Sequence, residues 1–98
     1  MTANEILKEM GVSDNTFEGV VEKMIEIHKA KNHDYGNAYE ESLDEEGMAA
    51  ARVLIGNKYK RLKALTTGNT AQVKNESIDD TLLDMANYCI MTYVWRNK

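Results

Sequence analysis

The chain has 98 residues, a formal net charge of −4, 43% hydrophobic residues, no proline and one cysteine. A chain this short is expected to form a single domain over residues 1–98, and its acidic balance excludes a general nucleic-acid binder, which carries a basic excess. The lone Cys89 leaves no internal disulfide, and no run of about 18 apolar residues marks a membrane span.

No signal-peptide pattern is visible either, so the expectation is a cytoplasmic protein with no membrane partner and no direct contact with DNA. Leu, Met, Ala, Glu and Lys are plentiful, which favours helix over strand. So small a core is commonly completed by self-association, and a homo-oligomer, a dimer or higher, is expected.

The elements follow in chain order. Thr2 and Glu5 have capping-box spacing and Gly11 a stop signal, predicting a short N-terminal helix over 3–10, with a turn to residue 14. A second helix is predicted from about Asn15 to Lys31, with Phe17, Val20, Val21, Met24, Ile25, Ile27 and His28 at three- and four-residue steps. The break "KNHDYGNAYEES" (31–42) follows, with a helical turn at 38–43. A third helix is predicted from the acids Asp44 and Glu45 to about Leu65, its apolar set being Met48, Ala51, Ile55, Tyr59 and Leu62. "TTGNT" (66–70) reads as a turn, and the last helix runs from Asn75 or Ser77 to about Arg96. No segment alternates for long enough to make a strand. The fold class is all-α: a small bundle of three main helices plus the short N-terminal one.

The last helix carries the sharpest chemical signal. Glu76, Asp80, Asp84, Asn87, Met91 and Val94 share one face, polar at its start and apolar at its end. Past Met85 the helix is apolar nearly all round, which predicts burial on most sides, Cys89 included. Stacked carboxylates repel unless a cation or basic side chains neutralise them. Mg²⁺ is usually held by one or two carboxylates together with substrate phosphate. A solvated acidic face near a helix N-terminus is the plain alternative. On the preceding helix Lys58 and Arg61 share a face at i, i+3, suited either to phosphate or to an interhelix salt bridge.

In the break, Tyr35 and Tyr39 lie one turn apart, and an aromatic ring stacks on a nucleobase with about 1–3 kcal/mol. The alternative is a tyrosine pair plugging a corner between helices. Asp34 or Asn37 would read base or ribose edges or complete a metal shell. Lys31 lies at a helix C-terminus, where the dipole alone also favours a cation. His33 is expected in an exposed loop, Met85 and Met91 as core filler, and Trp95 as a docked end, against a second subunit.

The segments "KNHDYGNAYEESLDEEG", "IGNKYKRLKAL" and "ESIDDTLLDMANYCIMTYVW", in this order over about residues 25–95, resemble the nucleotide-modification-associated domain family of the first type. That family is itself similar to the all-α nucleoside triphosphate pyrophosphohydrolases, the MazG and dimeric dUTPase group. The resemblance implies a helical oligomer that binds Mg²⁺ through acids and splits a nucleoside triphosphate into monophosphate and pyrophosphate. Carried over, Glu76, Asp80 and Asp84 would be the metal-binding and catalytic acids. Lys31, Asp34, Tyr35, Lys58, Arg61 and Asn87 would bind substrate.

The pyrophosphohydrolases add a second acidic pair, EExxE, on an earlier helix. Here its nearest match is Glu40, Glu41 and Asp44, beside the break. The resemblance therefore implies two functions: Mg²⁺-dependent nucleotide hydrolysis linked to modified DNA in a phage or bacterial setting, or a non-catalytic module that sequesters a nucleotide or serves a DNA-modification system.

Overall fold

Thr16 opens the first described helix. Its hydroxyl accepts from the Gly19 backbone N–H at 3.0 Å and its carbonyl from Val20 N–H at 2.9 Å, an N-cap that satisfies donors the first turn leaves orphaned. The structure, a computed structural model, describes residues 15–35, 37–67 and 74–98, without the side chains at 34, 35 and 74–76. The predicted helix over 3–10 lies outside these residues. Four helices are described: α1 (Phe17–Tyr35), α2 (Ala38–Glu46), α3 (Met48–Thr67) and α4 (Lys74–Arg96). Among the described residues there is no strand, and the chain is all-α as its composition implies.

Contacts divide the chain into two units, residues 1–36 and 37–98. In the first, α1 buries Lys23, Met24 and Ile27 on one face, while Phe17, Val21 and Ile25 of the predicted apolar set are exposed. The periodicity was right, but the buried stripe is rotated towards Lys23. Helix α1 also runs on through Lys31 to Tyr35. Residues 31–35 of the predicted break are therefore helical in α1 and residues 38–42 helical in α2, and His33 stands exposed in the last helical turn instead of in a loop.

The second unit packs α2, α3 and α4 together, with its most extensive contact between α3 and α4. The single long helix expected from Asp44 is broken at Gly47 (φ 65°, ψ −150°), a conformation open to glycine and costly for other residues. Gly47 N–H donates to Leu43 carbonyl at 2.8 Å, closing α2, and its own carbonyl accepts from Ala50 N–H at 3.0 Å, opening α3. Asp44 and Glu45 thus end α2 instead of starting α3, because the positive-φ conformation open to Gly47 outweighs their preference for a helix N-terminus.

Tyr39, Leu43 and Ala51 form the buried centre, with Leu54, Ile55, Tyr88, Met91 and Trp95 packed against it. The Tyr39 and Tyr88 rings meet edge to face, centroids 4.8 Å apart. Thr92 donates its hydroxyl proton to Tyr88 carbonyl at 2.7 Å, so the Tyr39 hydroxyl, 2.8 Å from Thr92 Oγ1, is the donor in that pair. Trp95 docks within the chain: its Nε1 donates to Asp44 Oδ1 at 2.9 Å. Helix α4 nevertheless buries one side only. Past Met85, Cys89, Ile90, Tyr93 and Val94 are exposed within the chain, which corrects the burial on most sides expected there; Leu82, before it, is exposed as well.

Candidate nucleotide site on α3 and α4

Helices α3 and α4 run antiparallel, and their register can be read from two contacts. Lys58 Nζ lies 3.4 Å from Asp84 Oδ2, and three residues on, Arg61 Nε donates to Thr81 Oγ1 at 3.2 Å, three residues back. Residues at i, i+3 face the same way on a helix, so the sequence spacing of the two bases is matched by the spacing of their partners. The interhelix salt bridge named as an alternative for these bases is therefore present. Both members of the Lys58–Asp84 pair are about a quarter exposed, at 28% and 23%. That is dry enough to strengthen the attraction and wet enough for a ligand to reach it.

Thr81 is the residue the sequence reading missed. It is 1% exposed, donates to Ser77 carbonyl at 2.7 Å and accepts from Arg61. Its hydroxyl proton is thereby committed to the backbone, and its lone pair holds the guanidinium at Nε. The remaining guanidinium donors keep their fork geometry for an anion. The available signal was a β-branched hydroxyl between two acids, in "DDTLLD", on a helix that packs along that side. Lys58 also stands over the Tyr88 ring at 6.0 Å from its centroid, the outer limit of a cation–π contact. The site is thereby joined to the core.

The other predicted residues fall into four groups. Asp80, one turn before Asp84, and Asn87, on the same face, are both half-buried. Glu76 lies one turn before Asp80 on the α4 backbone, and the side chains of Glu76, Asp34 and Tyr35 lie outside the described residues. Lys31 is half-buried on α1, in the first unit. Asn37 is exposed at the start of α2 and makes no side-chain cap hydrogen bond.

Tyr39 is a core plug, 8% exposed, not a free stacking ring. Among the described residues no three His, Cys, Asp or Glu side chains converge as a metal cage. Asp80 and Asp84 at i, i+4 remain the carboxylates whose chemistry suits Mg²⁺ shared with phosphate oxygens.

The nearest match to a second acidic pair points elsewhere. Glu40 pairs with Lys98, and Asp44 accepts from Trp95. Both partners lie at the C-terminal end of α4, and Trp95 is about 17 Å along the helix axis from Asp84. These acids brace the end of α4.

No curated protein and no solved structure matches the chain. A family model, that of nucleotide modification associated domain 1, matches residues 31–95. The match covers well over half of the chain and contains α2, α3 and nearly all of α4, with every base and acid of the cluster. The chain belongs to the nucleotide modification associated domain 1 family.

Proposed function

We propose that this protein binds a nucleotide or modified nucleotide by its phosphates on the α3–α4 face, with Mg²⁺, in nucleotide metabolism linked to modified DNA. The observation that carries this reading is the in-register placement of Lys58 and Arg61 against Asp84 and Thr81 inside the family segment. Two cations and two neighbouring carboxylates on one face, half-buried except at the exposed Arg61, suit a triphosphate: Arg61 as a planar fork, Lys58 as a point charge, Asp80 and Asp84 as metal ligands, with Glu76 one turn away. When bound, Mg²⁺ would offset phosphate charge and activate a water for pyrophosphohydrolysis like that of the enzymes the family resembles.

A second reading, nucleotide binding without turnover, is favoured by Glu40 and Asp44 being engaged at the far end of α4, which leaves a single acidic strip. The resemblance also implies a homo-oligomer, and the exposed apolar surface of α4 favours one.

Titration calorimetry with a panel of nucleoside triphosphates, with and without Mg²⁺, followed by a pyrophosphate assay of each mixture, separates these readings. Mg²⁺-dependent binding that releases pyrophosphate and disappears in Asp84→Ala establishes the enzyme. Binding with no pyrophosphate establishes the sequestering module. Absence of binding to every nucleotide refutes both.

A further inference from the structure

Helix α4 carries a second pattern, on the side away from Asp84. Asp79, Leu82, Ala86, Cys89, Tyr93 and Arg96 follow one another at steps of three, four, three, four and three, the spacing of a coiled-coil seam. Asp84 lies two residues from both Leu82 and Ala86, so it faces roughly the opposite way. Five of the six seam residues are exposed and Ala86 is half-buried. Leu82 is 47% and Tyr93 70% exposed, and the flanking Ile90 is 51% exposed. Exposed apolar side chains at this spacing are those that a facing helix buries by knobs-into-holes packing.

The charges at the two ends specify the occupant. An acid begins the seam and a base ends it. Packed parallel on a second copy, Asp79 would meet Asp79 and Arg96 would meet Arg96, a repulsion at both ends. Packed antiparallel, the seam is self-complementary about a point between Asn87 and Tyr88. Asp79 then meets Arg96 of the partner subunit, Leu82 meets Tyr93 of the partner subunit, and Ala86 meets Cys89 of the partner subunit. Each layer recurs by the two-fold axis, as an isologous contact requires.

We propose that α4 joins two copies of this chain as an antiparallel two-helix seam, with Asp79 and Arg96 setting the direction. The inference deepens the homo-oligomer proposed above and is independent of the nucleotide, since the seam and the Lys58–Asp84 face lie on different sides of α4.

The test is sedimentation of the full chain over a concentration series, with circular dichroism as the check on folding. The parent is expected to dimerise. Tyr93→Glu is expected to give a helical monomer. Asp79→Arg and Arg96→Asp each set like charges in facing layers and are expected to raise the dimer dissociation constant about tenfold, while the double reversal restores the parent value. Cys89, the one cysteine, should react with a maleimide more slowly as dimer forms.

A parent that stays monomeric at every concentration overturns both the seam and the oligomer, and Cys89 protected in such a monomer would mean that the chain covers its own seam. A parent oligomer indifferent to these substitutions, or single reversals that the double fails to rescue, overturns the seam alone. None of these results touches the nucleotide reading, which the calorimetry decides.

Discussion

Lys58→Met keeps the length of the side chain and removes its ammonium, which isolates what the pair with Asp84 contributes. At an effective dielectric of about 20, opposite charges 3.4 Å apart attract by about 5 kcal/mol. Most of that is offset by desolvation and by fixing two flexible side chains, leaving about 1 kcal/mol for a pair roughly three-quarters buried. The variant also leaves Asp84 facing Asp80 one turn away, a like-charge contact worth a few tenths of a kcal/mol more. The contact of Lys58 with Tyr88 sits at the edge of its range and adds little, and a methionine retains packing against the ring.

For a domain of this size, about 1 to 1.5 kcal/mol lowers the melting temperature by roughly 5–10 °C. Thermal unfolding followed by circular dichroism, in buffer containing a chelator, measures this. Millimolar Mg²⁺ should then stabilise Lys58→Met more than the parent, because the lysine no longer competes with the cation for Asp84, while nucleotide affinity falls. If the variant melts with the parent in chelator, the pair contributes no stability. If Mg²⁺ raises the melting temperature of neither protein, Asp80 and Asp84 do not form a cation site.

Tyr39→Phe removes the proton donated to Thr92 inside the core and should cost about 1–1.5 kcal/mol in denaturant unfolding. Thr92→Val in the same background should then cost less than it does alone, and strict additivity would refute the hydrogen bond. Gly47→Ala meets no atom within 4 Å of the added methyl group, so any loss is backbone strain at φ 65°, about 1–3 kcal/mol. An unchanged midpoint would mean that α2 and α3 are not parted by a left-handed residue. Asp44→Asn keeps an acceptor for the Trp95 indole and should leave its fluorescence near the parent's. Asp44→Ala exposes the ring and shifts the emission to the red; identical spectra for the two variants would refute the contact.

The all-α fold, the extent of α4 to Arg96 and the shared face of Lys58 and Arg61 were legible in the sequence, because each depends on spacing along one helix. Three-and-four steps fix which residues share a face before any packing occurs. Family membership was legible for the same reason: its signals are local strings within residues 31–95.

What the tertiary structure decided were the choices between faces and between partners. The apolar pattern on α1 is wide enough to bury two ways, and packing chose the Lys23–Met24–Ile27 side over Phe17 and Val21. Tyr39 was a candidate for stacking or for a corner plug, and only the approach of α4, with Tyr88 and Thr92, made it a plug. Glu40 and Asp44 resembled half of a second acidic pair until Lys98 and Trp95, more than 50 residues away in sequence, engaged them. The local signal at Thr81 did not decide its role, because a threonine is polar or buried according to what faces it, and Arg61 faces it across 20 residues of chain. Periodicity is a property of one helix and can be read from it, whereas burial and pairing depend on which helices meet.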